Sequence, residues 1–340
     1  MNTMERCSLS IRIESWPLAA PFRITGYLVD TARVVVVTIA DAHHEGVGEA
    51  AGVFYLGETP ESIAAQIEAV RLSIERGITR AQLLTLLPSG GARNSVDAAL
   101  WALESKREAL PVWRVAQLPP PRPLLTTMTI GVDTPQAMAS KARSLRQARA
   151  LKIKLDGSVR DASRLLSIRE ARPEVSLSVD ANQGWSRAHL DTMLPVLQQV
   201  GVDMLEQPFA IGADACLDTL DYPIPLAADE SFQDVKDLPS VVRRYDIVNI
   251  KLDKCGGLTR ALELAATARS AGLSIMVGCM PGTSLAIAPA FVLGQLCDRI
   301  DLDGPLFLTR DRAVGAQYSD GLLLCPDDAW GSAVTNAMLP

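Results

Sequence analysis

Three acidic residues stand out because each ends a short apolar run. Asp180, Glu206 and Asp229 come at intervals that suit one strand and one helix each. If their strands are neighbours, three carboxylates lie side by side, and their repulsion raises their pKa values unless a cation neutralises them. Carboxylate oxygens favour magnesium or manganese over zinc. The sequence therefore predicts one divalent cation per subunit, Mg²⁺ or alternatively Mn²⁺.

Three lysines supply groups that can move protons. In L-K-I-K-L, Lys152 and Lys154 project from the same face of a strand, because strand residues alternate faces. Two neighbouring amines lower each other's pKa, so we expect one of them to serve as a base near neutral pH. Lys251 lies one repeat beyond Asp229 and would approach a bound molecule from across the site. Removing a proton next to a carboxylate needs such bases together with a cation.

Each of these residues also has a purely structural interpretation. An acid at a strand end commonly caps the next helix or pairs with a basic residue. A K-x-K strand is common at the exposed edge of a sheet. The histidines do not help, because His43 and His44 fall in a polar turn and His189 in a helical stretch. The combined order of acids and lysines is what favours a catalytic site.

The elements that must position these residues change character along the chain. The first 118 residues predict an α+β unit, and the proline-rich run 119–123 marks its boundary, because proline fixes φ and lacks an N–H donor. The predicted strands of this unit cover 9–14 and 33–40, and its predicted helices cover 60–77 and 94–116.

Eight short apolar runs follow, alternating with helical stretches. Eight strands are the number that closes a parallel (β/α) barrel, and continuous apolar character fits strands buried on both faces. A doubly wound open sheet would need a glycine-rich fingerprint after its first strand, and G-V-D-T-P after Ile130 is not one. The acids and lysines fall at the carboxyl ends of the runs, where barrels place their active sites. The runs span 126–131, 151–155, 175–180, 202–206, 224–229, 247–252, 273–279 and 299–303.

Five motifs together resemble the muconate-lactonising subgroup of the enolase superfamily. They are, in order, L-K-I-K-L-D, S-V-D-A-N, M-L-E-Q-P, A-A-D-E-S and V-N-I-K-L-D-K-C-G-G. Lysine or histidine bases acting with magnesium are the general pattern of that superfamily. The resemblance implies an α+β capping domain over 1–118, a modified TIM barrel of (β/α)7β type over 119–310, and a C-terminal segment, 311–340, that packs back on the capping domain.

The resemblance also implies roles for single residues. Asp180, Glu206 and Asp229 would bind magnesium, Lys154 and Lys251 would be the two acid/base residues, and Lys152 would help polarise the substrate carboxylate. Members that dehydrate acid sugars use a His-Asp pair late in the barrel, and no histidine follows His189 here. That branch is therefore disfavoured.

The last predicted strand narrows the activity. Asp301 and Asp303 share a face and would hold a cation, such as the free α-ammonium of a dipeptide, although a helix cap and a salt-bridge partner are the structural interpretation. This D-x-D resembles that of dipeptide epimerases, which invert the C-terminal residue of dipeptides such as L-Ala-D/L-Glu. An o-succinylbenzoate synthase or cycloisomerase on the same scaffold is the alternative, and it has no ammonium to bind. Thr129, Cys279 and Met280 also match substrate-lining positions of dipeptide epimerases.

Two loops of the capping domain, 21–30 and 52–58, are expected to close the barrel mouth. The resemblance makes Arg23 and Tyr55 the expected substrate contacts from these loops. Relatives that act on Ala-Glu carry an arginine in this region, and only Arg23 is available here. A glutamate or a more apolar second residue are therefore both open.

Composition limits the partners. The 340-residue chain has a net charge of −6 and no basic runs, which disfavours nucleic acid. Its apolar runs are too short to span a bilayer and the first twenty residues lack a signal-peptide core, so we expect a cytoplasmic protein. The family resemblance implies a small-molecule dipeptide as its partner. A homo-oligomer is compatible with a chain of this size. A Schiff-base aldolase barrel, which needs one activated lysine and no acidic triad, and a non-catalytic binding protein are disfavoured.

Overall fold

The computed structural model of the protein describes residues 6–219 and 222–332. Within these residues the strands are β1 (Ser8–Ile24), β2 (Tyr27–Ala40), β3 (Glu45–Ala50), β4 (Leu124–Leu125), β5 (Met128–Ile130), β6 (Ala150–Lys154), β7 (Ser176–Asp180), β8 (Val202–Glu206), β9 (Leu226–Ala228), β10 (Ile247–Lys251), β11 (Ser274–Gly278), β12 (Arg299–Asp301), β13 (Gln317–Ser319) and β14 (Leu322–Leu324).

The helices surround these strands. They are α1 (Pro60–Ala69), α2 (Arg71–Glu75), α3 (Arg80–Leu86), α4 (Gly91–Glu108), α5 (Val112–Val115), α6 (Pro135–Ser144), α7 (Asp161–Ala171), α8 (Arg187–Gln199), α9 (Leu238–Val241), α10 (Leu252–Cys255), α11 (Leu258–Ser270) and α12 (Ser284–Gly294). Short 3₁₀ helices cover Phe54–Leu56, Asp214–Thr219, Val235–Asp237, Gly304–Phe307 and Asp327–Ala329. Among the described residues, none of the helices has both the length and the apolar character that crossing a bilayer requires.

The first part of the chain is an antiparallel sheet covered by helices. β2 pairs with β1 on one side and with β3 on the other, and α4 packs across β3 and β2. Gly46 and Gly48 allow this close approach, because a Cβ at either position would lie 2.0 or 2.2 Å from a backbone oxygen of α4. The backbones of β3 and α4 therefore pack in direct contact.

The β1–β2 hairpin is longer than the sequence pattern predicts. Instead of a loop over 21–30, strand pairing continues to Ile24 and Tyr27, and the two-residue turn between them contains Gly26. Its φ of 76° lies in the left-handed region that glycine adopts without strain. The register shifts between Pro17 and Phe22, and this irregular stretch interrupts the alternation from which a strand is recognised. The predicted loop is in fact the tip of a hairpin.

Strands β5 to β12 form an eight-stranded parallel sheet in chain order. The first and last strands meet, because the Thr127 N–H donates to the Ile300 carbonyl at 3.0 Å. The predicted α/β barrel with an N-terminal capping sheet is therefore confirmed. Each of the eight barrel strands overlaps its predicted apolar run and differs from it only at the ends.

The last described stretch returns from the barrel to the first sheet. Arg312 forms an ion pair with the buried Glu49 of β3 at 2.7 Å, and Trp330 Nε1 donates to a β3 carbonyl at 3.1 Å. β14 pairs with both β13 and β4. Of the predicted C-terminal segment 311–340, residues 333–340 lie outside the described part of the chain.

Candidate active site

Three acidic side chains meet at the carboxyl ends of adjacent barrel strands. Asp180 ends β7, Glu206 ends β8 and Asp229 directly follows β9. One ligand oxygen from each lies within 4.8 Å of the others, and all three residues are buried. Neighbouring parallel strands end at the same edge of the sheet, which explains the convergence. A set of carboxylate oxygens suits a hard divalent cation.

The three acids differ in charge state. Burial raises the pKa values of Asp180 and Asp229, but Lys154 and Lys251 outweigh burial and lower both. Burial, and then the charge of Asp180, raises the pKa of Glu206 to about 7. Asn249 Nδ2 donates to Glu206 Oε1 at 2.8 Å. Glu206 Oε2 accepts no well-aligned hydrogen bond from the described residues, although Lys152 Nζ lies 2.8 Å away. A buried carboxylate oxygen that faces two other acids fits a metal ligand.

Buried lysines flank the acids. Lys152 and Lys154 project from β6, and Lys251 ends β10. The Nζ of Lys154 is 2.6 Å from Asp180, and the Nζ of Lys251 is 2.7 Å from Asp229. β6 and β10 lie four strands apart in a barrel of eight, so the two amines face the cluster from opposite sides.

The pKa of Lys152 differs from the lowered value that the sequence led us to expect. Burial lowers the pKa of Lys152, but the carboxylates of Asp301 and Glu206 outweigh burial and hold it well above its ordinary value. Burial also lowers the pKa of Lys251, but the charge of Asp229 outweighs burial, and the pKa of Lys251 is raised. The expectation considered the neighbouring amine and left out the acids that contact each lysine.

Sequence reasoning missed a further lysine. Lys254 is buried in α10, and its Nζ lies 2.6 Å from Asp229 Oδ1. It also donates to the backbone carbonyls of Phe232 and Asn249, each at 2.9 Å. Burial lowers the pKa of Lys254. With its ammonium surrounded by acceptors, Lys254 orients Asp229, and the only sequence signal was its place in the motif N-I-K-L-D-K.

The two aspartates of the D-x-D have different partners. Asp301 Oδ2 is 2.7 Å from Lys152 Nζ, and Thr127 Oγ1 donates to Asp301 Oδ1 at 2.7 Å. Asp303 accepts the Thr129 backbone N–H at 2.6 Å. Burial, and then the charge of Asp301, raises the pKa of Asp303 to about 7. Asp303 is therefore the carboxylate that still lacks a cationic partner in the described structure, whereas Asp301 already has one.

One cavity of about 360 Å³ brings these groups together beneath the capping sheet. Its barrel wall includes Lys152, Lys154, Lys251, Asp229, Asp301, Asp303, Thr129, Cys279 and Met280. Its capping wall includes Phe22, Ile24, Tyr27, Val29, Phe54 and Tyr55. Arg23 is not part of this wall: it is exposed, because Phe22 and Ile24 face the cavity and strand residues alternate.

Hydrogen bonds fasten the capping segments to the barrel. Thr25 Oγ1, at the hairpin turn, donates to the Leu155 carbonyl at 3.0 Å, just beyond Lys154. The Gly52 N–H donates to Asp253 Oδ1 at 2.8 Å. These contacts tie both capping segments to the strands that carry the two lysines.

The structure shows the surroundings of two further groups in the cavity, which the sequence pattern did not predict. Glu230 is buried beside Asp229, and burial, followed by the Asp229 charge, raises its pKa to about 8. The Tyr55 hydroxyl is buried and has no hydrogen-bond partner among the described residues. Burial, and then Asp229, raises the pKa of Tyr55, so its O–H stays protonated and can donate a hydrogen bond.

Comparison with known proteins agrees with this geometry. Residues 136–331 match the enolase C-terminal domain-like model, and residues 6–116 match the N-terminal domain model of mandelate racemase / muconate lactonizing enzyme. An L-Ala-D/L-Glu epimerase from Escherichia coli K12 is 41% identical over 312 residues, which cover 91% of this chain and 97% of that protein.

Two solved structures are similar throughout. An enolase family member from Agrobacterium tumefaciens with homology to dipeptide epimerases, bound to sodium and L-Ala-L-Glu, superposes with a TM-score of 0.93 at 38% identity, covering 96% of this chain and 100% of that one. A dipeptide epimerase from Methylococcus capsulatus, complexed with Mg and L-Arg-D-Lys, has a TM-score of 0.88 at 30% identity, covering 94% and 97%.

Proposed function

The chain belongs to the enolase superfamily, in the mandelate racemase / muconate lactonizing enzyme family, and we propose that it is a magnesium-dependent dipeptide epimerase. It is an isomerase, like the epimerases and racemases that it resembles. The reaction is inversion of the α-carbon of the C-terminal residue. The observation that carries the proposal is the placement of Lys154 and Lys251 on opposite sides of one acidic cluster.

Asp180, Glu206 and Asp229 are the proposed metal ligands. Their converging buried oxygens and the raised pKa of Glu206 support this assignment. When bound, a divalent cation would take up the charge of the three acids and stabilise the negative charge that develops on the substrate carboxylate. The Methylococcus structure contains Mg, and we propose the same ion here, with Mn²⁺ as a substitute.

The two flanking lysines move the proton. A divalent ion held by Asp180 and Asp229 would take up their charge, and the amines of Lys154 and Lys251 would then be free to face the substrate. One amine then removes the α-proton from one face, and the other returns a proton to the opposite face. Because the arrangement is two-sided, both isomers are substrates. Lys152 stays charged and neutralises the substrate carboxylate.

The D-x-D selects a dipeptide over a substrate without an ammonium. Asp303, whose carboxylate lacks a cationic partner in the described structure, binds the free α-ammonium, and Asp301 holds Lys152 in place. Thr129, Cys279 and Met280 line the same end of the cavity. An o-succinylbenzoate synthase or a cycloisomerase would not depend on Asp303, so Asp303→Asn separates the two activities.

Exchange in D₂O tests the function. The protein is incubated with a dipeptide library, with Mg²⁺ or with EDTA, and mass spectrometry locates deuterium. We expect metal-dependent incorporation of one deuterium at the α-carbon of the C-terminal residue, together with the second isomer. Lys236→Gln, at an exposed lysine, is the control for charge removal. Absence of exchange with every dipeptide would falsify the proposal.

A further inference from the structure

We propose that the residue inverted by this enzyme carries a hydrophobic side chain, aliphatic or aromatic, which packs against the capping wall of the cavity. We name the part of this wall formed by Phe22, Ile24, Tyr27, Val29 and Phe54 the apolar roof. The inference rests on the proposed dipeptide epimerase activity and adds the class of substrate to it.

The barrel geometry determines the direction of the side chain. Lys154 on β6 and Lys251 on β10 face each other, so the proton leaves and returns along the line between these strands. After the proton has left, the three remaining substituents of the planar α-carbon lie in the plane perpendicular to that line. β8, with Glu206, and β12, which leads into Asp303, form the other pair of opposite strands in this plane.

Two of the three substituents have polar partners on these strands. The substrate carboxylate faces the acidic cluster on the β8 side, and the peptide nitrogen, with the ammonium beyond it, faces Asp303 on the β12 side. The remaining substituent is the side chain of the inverted residue. It therefore points along the barrel axis toward the capping sheet.

The surface that meets it is apolar. Phe22 pairs with Val29 and Ile24 pairs with Tyr27 across the hairpin, so all four project from one face. The rings of Tyr27 and Phe54 pack edge to face with centroids 4.5 Å apart, which joins the hairpin to the second capping segment. Tyr27 is 46% and Phe54 38% exposed. An apolar side chain in the cavity would remove part of this exposed aromatic surface from water.

An acidic side chain would find no free cation on the roof. Arg23 is exposed on the other face of the hairpin. Arg33 also lines the cavity wall, but it is not part of the roof, and its guanidinium is already paired with Glu61 at 2.5 Å.

A basic side chain would find no free carboxylate on the roof. Glu58 Oε2 accepts the Val53 N–H at 2.7 Å, and its carboxylate also accepts the Gly91 N–H, so it is occupied by backbone donors. Glu230 lies next to Asp229, at the acidic cluster rather than on the roof. Among the described residues the roof therefore offers apolar contact and no free charge.

Substrate competition tests the proposal with the wild-type protein. Values of kcat/KM are measured for L-Ala-L-Phe, L-Ala-L-Leu, L-Ala-L-Glu and L-Ala-L-Lys by α-proton exchange with Mg²⁺. We expect Phe and Leu to exceed Glu and Lys by about 10-fold or more, since each apolar group in a fitted pocket discriminates by about 10- to 200-fold. A preference for Glu or Lys overturns the hydrophobic assignment and leaves the epimerase proposal standing. If the protein exchanges the α-proton of none of these four dipeptides and of no other dipeptide, the epimerase proposal itself is removed.

A variant of the roof gives an independent test. Tyr27→Arg should lower the ratio of kcat/KM for L-Ala-L-Phe over L-Ala-L-Glu by about 10-fold or more. Tyr27→Leu keeps the roof apolar and should keep the ratio. Leu72→Arg is the matched control, because Leu72 is 67% exposed on α2 and does not line the cavity. An unchanged ratio in Tyr27→Arg, measured on protein with a wild-type Tm, contradicts the proposal.

Discussion

Lys254 offers a direct test of how the site is held together. Its ammonium contacts Asp229 Oδ1 and three backbone carbonyls, one of which belongs to Asp229 itself. Lys254→Met keeps the apolar stem and removes the charge. Breaking a buried ion pair by removing one partner costs about 3–5 kcal/mol, because the remaining groups stay buried without a partner. Asp229 retains Lys251 at 2.7 Å, so we expect the lower end, about 3 kcal/mol.

The loss also reaches metal binding. A residue that orients a metal ligand typically changes metal affinity about 10- to 100-fold when it is removed. Urea unfolding without metal gives the free energy of unfolding, and the rise of Tm with Mg²⁺ gives the affinity. The matched control is Lys236→Met, at an exposed lysine, with an expected change below about 0.5 kcal/mol. A loss below about 1 kcal/mol in Lys254→Met, with unchanged Mg²⁺ affinity, would show that Lys254 does not hold Asp229 in place.

Three other predictions follow from the site and the core. Asp303→Asn should lower kcat/KM for dipeptides with a free ammonium by about 30-fold or more, which corresponds to the loss of about 2 kcal/mol from a buried charge pair; an unchanged value in steady-state assays would contradict ammonium binding. EDTA should abolish α-proton exchange, and added Mg²⁺ or Mn²⁺ should restore it; full exchange in EDTA would exclude a required metal. Burial raises the pKa of Asp97 from 3.8 to about 6, so the folded state favours its protonated form. The free energy of unfolding should therefore fall, by about 3 kcal/mol at most, as pH rises from about 4 to about 6. Urea unfolding across this window should show a shallower fall in Asp97→Asn, and equal slopes would count against the assignment.

The positions of the acids and of Lys154 and Lys251 were predictable because they rest on strand ends. Each ends or directly follows an apolar run, and a barrel brings the carboxyl ends of its strands to one edge. The sequence pattern thus carries the geometry without side-chain detail. Lys254 could not be found in this way, because it lies on a helix after a strand and two of its partners are carbonyls of Phe232 and Asn249.

The capping wall was less predictable. The hairpin turn at Gly26 decides which residues face the cavity, and moving the register by one residue would exchange Arg23 for its neighbours. The irregular stretch between Pro17 and Phe22 hides the alternation that would have shown this register. The expected lowering of the Lys152 pKa was also wrong, since this pKa depends on Asp301 and Glu206, which lie on strands far from Lys152 in the chain.

In the proposed reaction, Lys154 and Lys251 act on opposite faces of one α-carbon. The most direct measurement follows α-proton exchange of each isomer separately in D₂O, with Lys154→Gln and Lys251→Gln. We expect each variant to lose epimerisation but still to exchange the proton of one isomer, and we expect the two variants to retain opposite isomers. Retention of the same isomer by both variants, or undiminished epimerisation in either, would contradict the proposed reaction.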